Sequence, residues 1–123
     1  MSTTIGTLTN VTKNAMLNAF RDLGGGRSVD ATNAAGDFRS DSVTISFNSS
    51  SNGKITLSSP VTLTVFPGSD GNDAIKKIFV TNNAVTQTYI EFELQTAIDF
   101  PNGGNLVINQ LDVELEDPAW VTL

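Results

Sequence analysis

The chain has 123 residues, 39% of them hydrophobic, and a formal net charge of −6. That length suits a single domain, residues 1–123, with a core of its own. With no Cys and no His, disulfides, thiol nucleophiles, Ser-His-Asp triads and the usual zinc and iron ligand sets are excluded, and the chain reads as a non-enzyme without cofactor or metal.

The charge is unevenly placed. Residues 1–41 balance four basic against four acidic side chains, whereas residues 91–117 hold seven acids and no base. Phosphate backbones are gripped by Lys and Arg, so no nucleic-acid partner is expected. No apolar run approaches the roughly 18 residues of a membrane span, so no membrane partner is expected either. The opening "MSTTIGTLTN" has neither the basic nor the apolar stretch of a secretory leader.

The first predicted element is a helix in "TKNAMLNAFRDLGGG", residues 12–26. Met16, Ala19, Phe20 and Leu23 fall on one face. Asn10 or Thr12 can cap its start, and Gly24 is expected to end it in a left-handed conformation. Such a helix is too short to be stable alone in water, so its apolar face must dock, on this chain's own sheet or on a neighbouring subunit. Residues 24–42 have weak periodicity and read as an extended connection with room for one short strand. Together, residues 1–42 form an arm of helix and connection, leaving 43–116 as a β-sandwich body and 117–123 as a tail.

From residue 43 the period is two. Val43, Ile45 and Phe47 alternate with polar residues, and Asn52-Gly53 is a strong hairpin signal. Ile55 and Leu57 follow, Pro60 breaks the run, and Val61, Leu63 and Val65 continue it. Residues 67–73, "PGSDGND", form a loop. Ile78, Phe79 and Val80 lie in the next strand. In the one after, Ile90, Phe92 and Leu94 oppose Glu91 and Glu93. "PNGGN", residues 101–105, is a turn. The final run changes phase between Leu106/Ile108 and Leu111/Val113/Leu115, which requires a β-bulge or a bend near Asn109–Gln110. Six to eight short strands at this spacing predict a mainly β chain. The expected form is an antiparallel β-sandwich, jelly-roll-like in one arrangement, with one short N-terminal helix.

Few residues invite chemistry. Asp112, Glu114 and Glu116 alternate and read as a solvated strand face. The Asp70–Asp73 loop hints at calcium, but Thr81 stands where an EF-hand loop beginning at Asp70 needs an acid. Gly24–Gly26 lacks the Lys-Ser/Thr of a P-loop. Trp120 is the one Trp, suited to closing the core or to filling a neighbour's pocket. The candidate interface residues are therefore Met16, Phe20, Leu23 and Trp120.

Lys13, Asn14, Met16, Leu17 and Ala19 in "TKNAMLNAFRDL" match a Lys-Asn-x-Met-Leu helix signature. With "VTISFNSSSNGKITLSSPVTLTVFPG" and "GGNLVINQLDVEL", in that order, the chain resembles small virion structural proteins of tailed phages, the tail-fibre-like and capsid-decoration group. "IFVTNNAV" stands where that group has Leu-Tyr/Phe-Asp-Ala. The resemblance implies a structural component of a bacteriophage virion, assembled in the host cytoplasm. Its lead form is a capsid decoration (cement) protein, a homo-oligomer with a trimer preferred, contacting the major capsid protein or tail proteins. The alternatives are a tail, neck or baseplate protein of the same virion and, in another class, a carbohydrate-binding β-sandwich module. No catalytic or cofactor-binding residue is implied.

Overall fold

The computed structural model describes residues 3–116 and 119–122, with the side chains of Thr3, Trp120 and Val121 outside the described set. In chain order the elements are β1 (Thr3–Gly6), α1 (Asn10–Asp22), β2 (Ser28–Thr32), β3 (Val43–Thr44), β4 (Lys54–Thr56), β5 (Val61–Val65), a 3₁₀ turn (Gly71–Asp73), β6 (Ile75–Thr81), β7 (Thr88–Ile98), β8 (Gly104–Ile108), β9 (Asp112–Glu114) and β10 (Ala119–Thr122). The chain is mainly β, with antiparallel pairing throughout the described sheets and one short helix. It divides into two compact units. One comprises Met1–Leu23, Phe47–Ser58 and Gln110–Leu123; the other comprises Gly24–Ser46 and Ser59–Asn109. The expected arm, 1–42, is thus shared between them.

In the first unit β1 pairs with β10 and β4 with β9. The Asn52-Gly53 hairpin forms as the sequence predicts. Both residues have positive φ, 52° and 74°, and Ser51 and Lys54 exchange backbone hydrogen bonds of 2.9 and 3.1 Å. Those dihedrals match the twist of the flanking strands, which is why Asn-Gly is favoured here. Leu17, Phe47, Ile55 and Leu111 are buried in this unit, and the Phe20 ring tilts against Phe47 at 6.1 Å.

In the second unit the four-stranded sheet runs β3-β2-β6-β7, with β5 paired to β8. Residues 24–42 contain the one short strand for which the sequence reading left room, but it is no peripheral link. β2 sits inside the sheet, between β3 and β6, and is buried along its whole length. The chain after it is knitted in as well. The Arg39 N–H donates to the Ala31 carbonyl at 2.9 Å, the Phe66 N–H to the Arg39 carbonyl at 2.8 Å, and the Ala31 N–H to Ser40 Oγ at 2.9 Å. Val61, Leu63 and Val65 of β5 are buried and Thr62 and Thr64 exposed, so the period-two reading holds there. It holds on β7 too, where Ile90, Phe92 and Leu94 are half-buried between exposed Glu91 and Glu93. β7 is an edge strand of its sheet, so its apolar side chains are covered on fewer sides.

The phase change near Asn109–Gln110 is a change of sheet. β8 ends at Ile108 on β5, and β9 starts at Asp112 on β4. A strand that leaves one partner for another has no need of a bulge to keep both runs of apolar residues inward. Both helix-end assignments are also corrected. The N-cap is Thr9, whose Oγ1 accepts from the Thr12 N–H. At the other end Leu23 leaves the helix with ψ 135°, and the left-handed residues are Gly25 and Gly26 rather than Gly24.

Candidate functional site

The helix docks by a different face from the one its apolar periodicity selects. Asn14, Asn18 and Arg21 recur at i, i+4 and i+7, one line along the helix. All three reach the 49–53 hairpin. Asn14 Oδ1 accepts from the Gly53 N–H at 2.8 Å, Asn18 Oδ1 from the Ser50 N–H at 3.0 Å, and Arg21 Nη1 donates to Ser49 Oγ at 2.7 Å. Ser50 Oγ completes the clasp by donating to the Asn14 carbonyl at 3.1 Å. A side chain at Gly53 would stand 3.0 Å from Lys13 Cδ, so the glycine serves both the turn and the close approach of the helix. Leu17 is the buried apolar residue of α1, 2% exposed.

The expected apolar face is consequently split. Phe20 is half-buried against Phe47, while Met16 and Leu23 are each about half exposed, and Val11 is 81% exposed. Ala15 and Ala19 are exposed on the same side. Trp120 is placed by its backbone opposite Ile5; its side chain lies outside the described residues. Ile5 is itself 68% exposed.

The acidic strands are more engaged than a solvated face. Lys77 Nζ lies 3.1 Å from Glu91 Oε1, and Lys54 Nζ 4.0 Å from Asp112 Oδ2. Asp112 Oδ2 also accepts from Gln110 Nε2 at 2.8 Å, and its Oδ1 is buried without a hydrogen-bond partner. Asp112 is half-buried, so the reading of this residue as solvated is corrected; Glu114 and Glu116 are exposed. In the 70–73 loop, Asp73 Oδ1 accepts from Arg39 Nη2 at 2.7 Å and from Asn33 Nδ2 at 3.0 Å. Its carboxylate tethers the 33–39 segment.

The sequence gives little sign of a second site, on the polar side of the four-stranded sheet. Ser28, Asp30 and Thr32 share one face of β2, and Asp30 is registered opposite Phe79 and Ser28 opposite Thr81 on β6. A cavity of about 180 Å³ opens over them, lined by Asp30, Thr32, Phe38, Phe79, Thr81 and Val85, with Gly36 and Thr88. Its floor is buried: Asp30 is 1% exposed, with Thr32 and Thr81 equally enclosed. Its rim is open, with Phe38 54% exposed. Neither Asp30 carboxylate oxygen has a hydrogen-bond partner, nor has Thr81 Oγ1. Burial raises the Asp30 pKa above the ordinary carboxylate range.

Two well-fixed loops wall this cavity. Asn33 Oδ1 accepts from the Asp37 N–H at 2.9 Å, and Thr32 and Phe38 form an isolated bridge. On the other side, Asn82 Oδ1 accepts from the Thr86 and Gln87 N–H groups at 2.8 and 3.0 Å. Val85, in that second loop, has φ 55°, a conformation that β-branched residues rarely adopt. Strain of this kind persists only where its surroundings over-determine it, and it clusters at functional sites.

No protein-family model matches the chain, and neither a curated protein nor a solved structure matches it.

Proposed function

We propose that the protein is a structural component of a bacteriophage virion, with capsid decoration as the lead form and a trimer as the assembly. The observation that carries this reading is the orientation of α1. Its polar line is used up on the chain's own hairpin, which leaves Val11, Met16 and Leu23 exposed. An apolar stripe on a helix that is already anchored is suited to docking on another protein surface. The order of the "TKNAMLNAFRDL", "VTISF…FPG" and "GGNLVINQLDVEL" segments supports the choice of a virion as that surface.

The test is incorporation into particles. Particles grown with the parent chain, or with Met16→Asp combined with Leu23→Asp, are purified, separated into heads and tails and quantified by mass spectrometry. The parent chain is expected in the head fraction. The double variant is expected to fold with an unchanged thermal midpoint and to be lost from particles. Recovery in tails alone moves the assignment to a tail, neck or baseplate protein. Absence of the parent chain from both fractions overturns the reading.

A further inference from the structure

We propose that the cavity over Asp30 is a binding site for a small alkylammonium group. This site is distinct from the helix surface and does not depend on the virion reading. Three acceptors stand unpartnered at its floor: Asp30 Oδ1, Asp30 Oδ2 and Thr81 Oγ1. A primary ammonium carries three N–H donors and no acceptor, so it matches that set in number and in charge. Burying a carboxylate without a partner is costly, and a bound cation removes the cost.

The walls suit the rest of such a ligand. Phe38, Phe79 and Val85 line the cavity. Aromatic faces attract ammonium ions, and apolar walls accept an alkyl stem of the kind that lysine buries. With roughly 30 Å³ for each water-sized group, the cavity of about 180 Å³ takes a stem of four carbons and its nitrogen.

Other ligand classes fit less well. An anion is repelled by Asp30. Calcium takes about six to eight oxygen ligands, and no cluster of three acidic metal-ligating side chains exists among the described residues. On β6, Lys77 is not a substitute partner, because it is held by Glu91 at 3.1 Å.

The experiment is a titration followed by amide chemical shifts at constant ionic strength. The probes are n-butylammonium, 1-butanol, tetramethylammonium and the amide-capped lysine Nα-acetyl-lysine methylamide. n-Butylammonium is expected to give saturable shifts confined to residues 30–38 and 79–88. 1-Butanol, which lacks the charge, and tetramethylammonium, which lacks N–H donors, should bind at least about tenfold more weakly. Asp30→Asn should abolish saturation. Phe38→Ala, at the exposed rim, should weaken it several-fold.

If capped lysine binds as well as n-butylammonium, the source is a lysine side chain of another polypeptide. If only the free amine binds, the source is a small molecule. No saturable shift, equal response to 1-butanol, or unchanged binding by Asp30→Asn would each overturn the proposal.

Discussion

Asp30 is the residue at which folding and binding pull in opposite directions. It is 1% exposed and neither oxygen is satisfied, so it destabilises the folded chain whenever it is ionised. Burial raises its folded pKa above the unfolded value. The group's favourable contribution is therefore complete below the unfolded pKa, about 3.9. It is lost as pH rises through the folded pKa. Asp30→Asn should accordingly stabilise the protein at pH 7, because a neutral amide is less costly to bury without a partner than a carboxylate. The gain should shrink towards zero below about pH 4. Around the cavity the other titratable groups are Lys77 and Glu91, bound to each other, with Glu93 on β7 and Asp37 on the neighbouring loop. Asp22 titrates in the opposite sense, its pKa lowered by the hydrogen bond from Arg21. All these groups are common to parent and variant, so the difference between them isolates Asp30. Urea unfolding of both chains at the two pH values measures it, and equal stabilities at pH 7 would refute the account.

At the scale of elements, the helix shows how a correct element can be given the wrong face. Periodicity places α1 accurately, because a 3.6-residue apolar pattern is a local property. It then selects Met16, Phe20 and Leu23 as the inward side, since apolar residues are usually the buried ones. The dock instead sets two Asn and an Arg, which reach backbone N–H groups and a hydroxyl on the hairpin, beside buried Leu17. Asn14→Ala should cost roughly 1–3 kcal/mol, because it leaves the N–H of buried Gly53 without its acceptor. Met16→Ala should change stability by less than about 0.5 kcal/mol, as an exposed site does. Thermal unfolding of the two variants decides whether the Asn14 line or the Met16 side is the docked one; the reverse ranking would sink the Asn14 assignment. The hairpin and β5 were legible because turn chemistry and alternation are local signals. β2 was not. Ser28, Asp30 and Thr32 give it a polar face, which in sequence looks solvated, yet loops 33–38 and 82–87 cover that face. The same burial made the Asp30 cavity invisible: its walls are set by pairing between β2 and β6, some fifty residues apart in the chain, and no periodicity reports such pairing. The one local hint was the run of small polar residues within a segment too weakly patterned for a connection of that length.

For the whole molecule the question is what would hold it to the proposed partner, charge or apolar contact. The formal charge of −6 and the concentration of acids in residues 91–117 invite an electrostatic answer. The strand registers weaken it. Glu91 is paired with Lys77 and Asp112 approaches Lys54, so part of the acidic third is already answered by lysines within each unit. Val11, Met16 and Leu23 on α1, and Ile5 on β1, offer an apolar surface instead. Exposed charges at 1 M salt are screened beyond about 3 Å, whereas apolar burial is not weakened by salt. If the virion reading is right, 1 M salt should leave the chain on particles. Glu93→Gln with Glu116→Gln, two exposed acids, should leave its occupancy unchanged while Met16→Asp with Leu23→Asp removes it. Quantifying the chain on washed particles measures all three arms. Release by salt, or loss of occupancy in the glutamine double variant, would transfer the contact from the helix to the acidic strands.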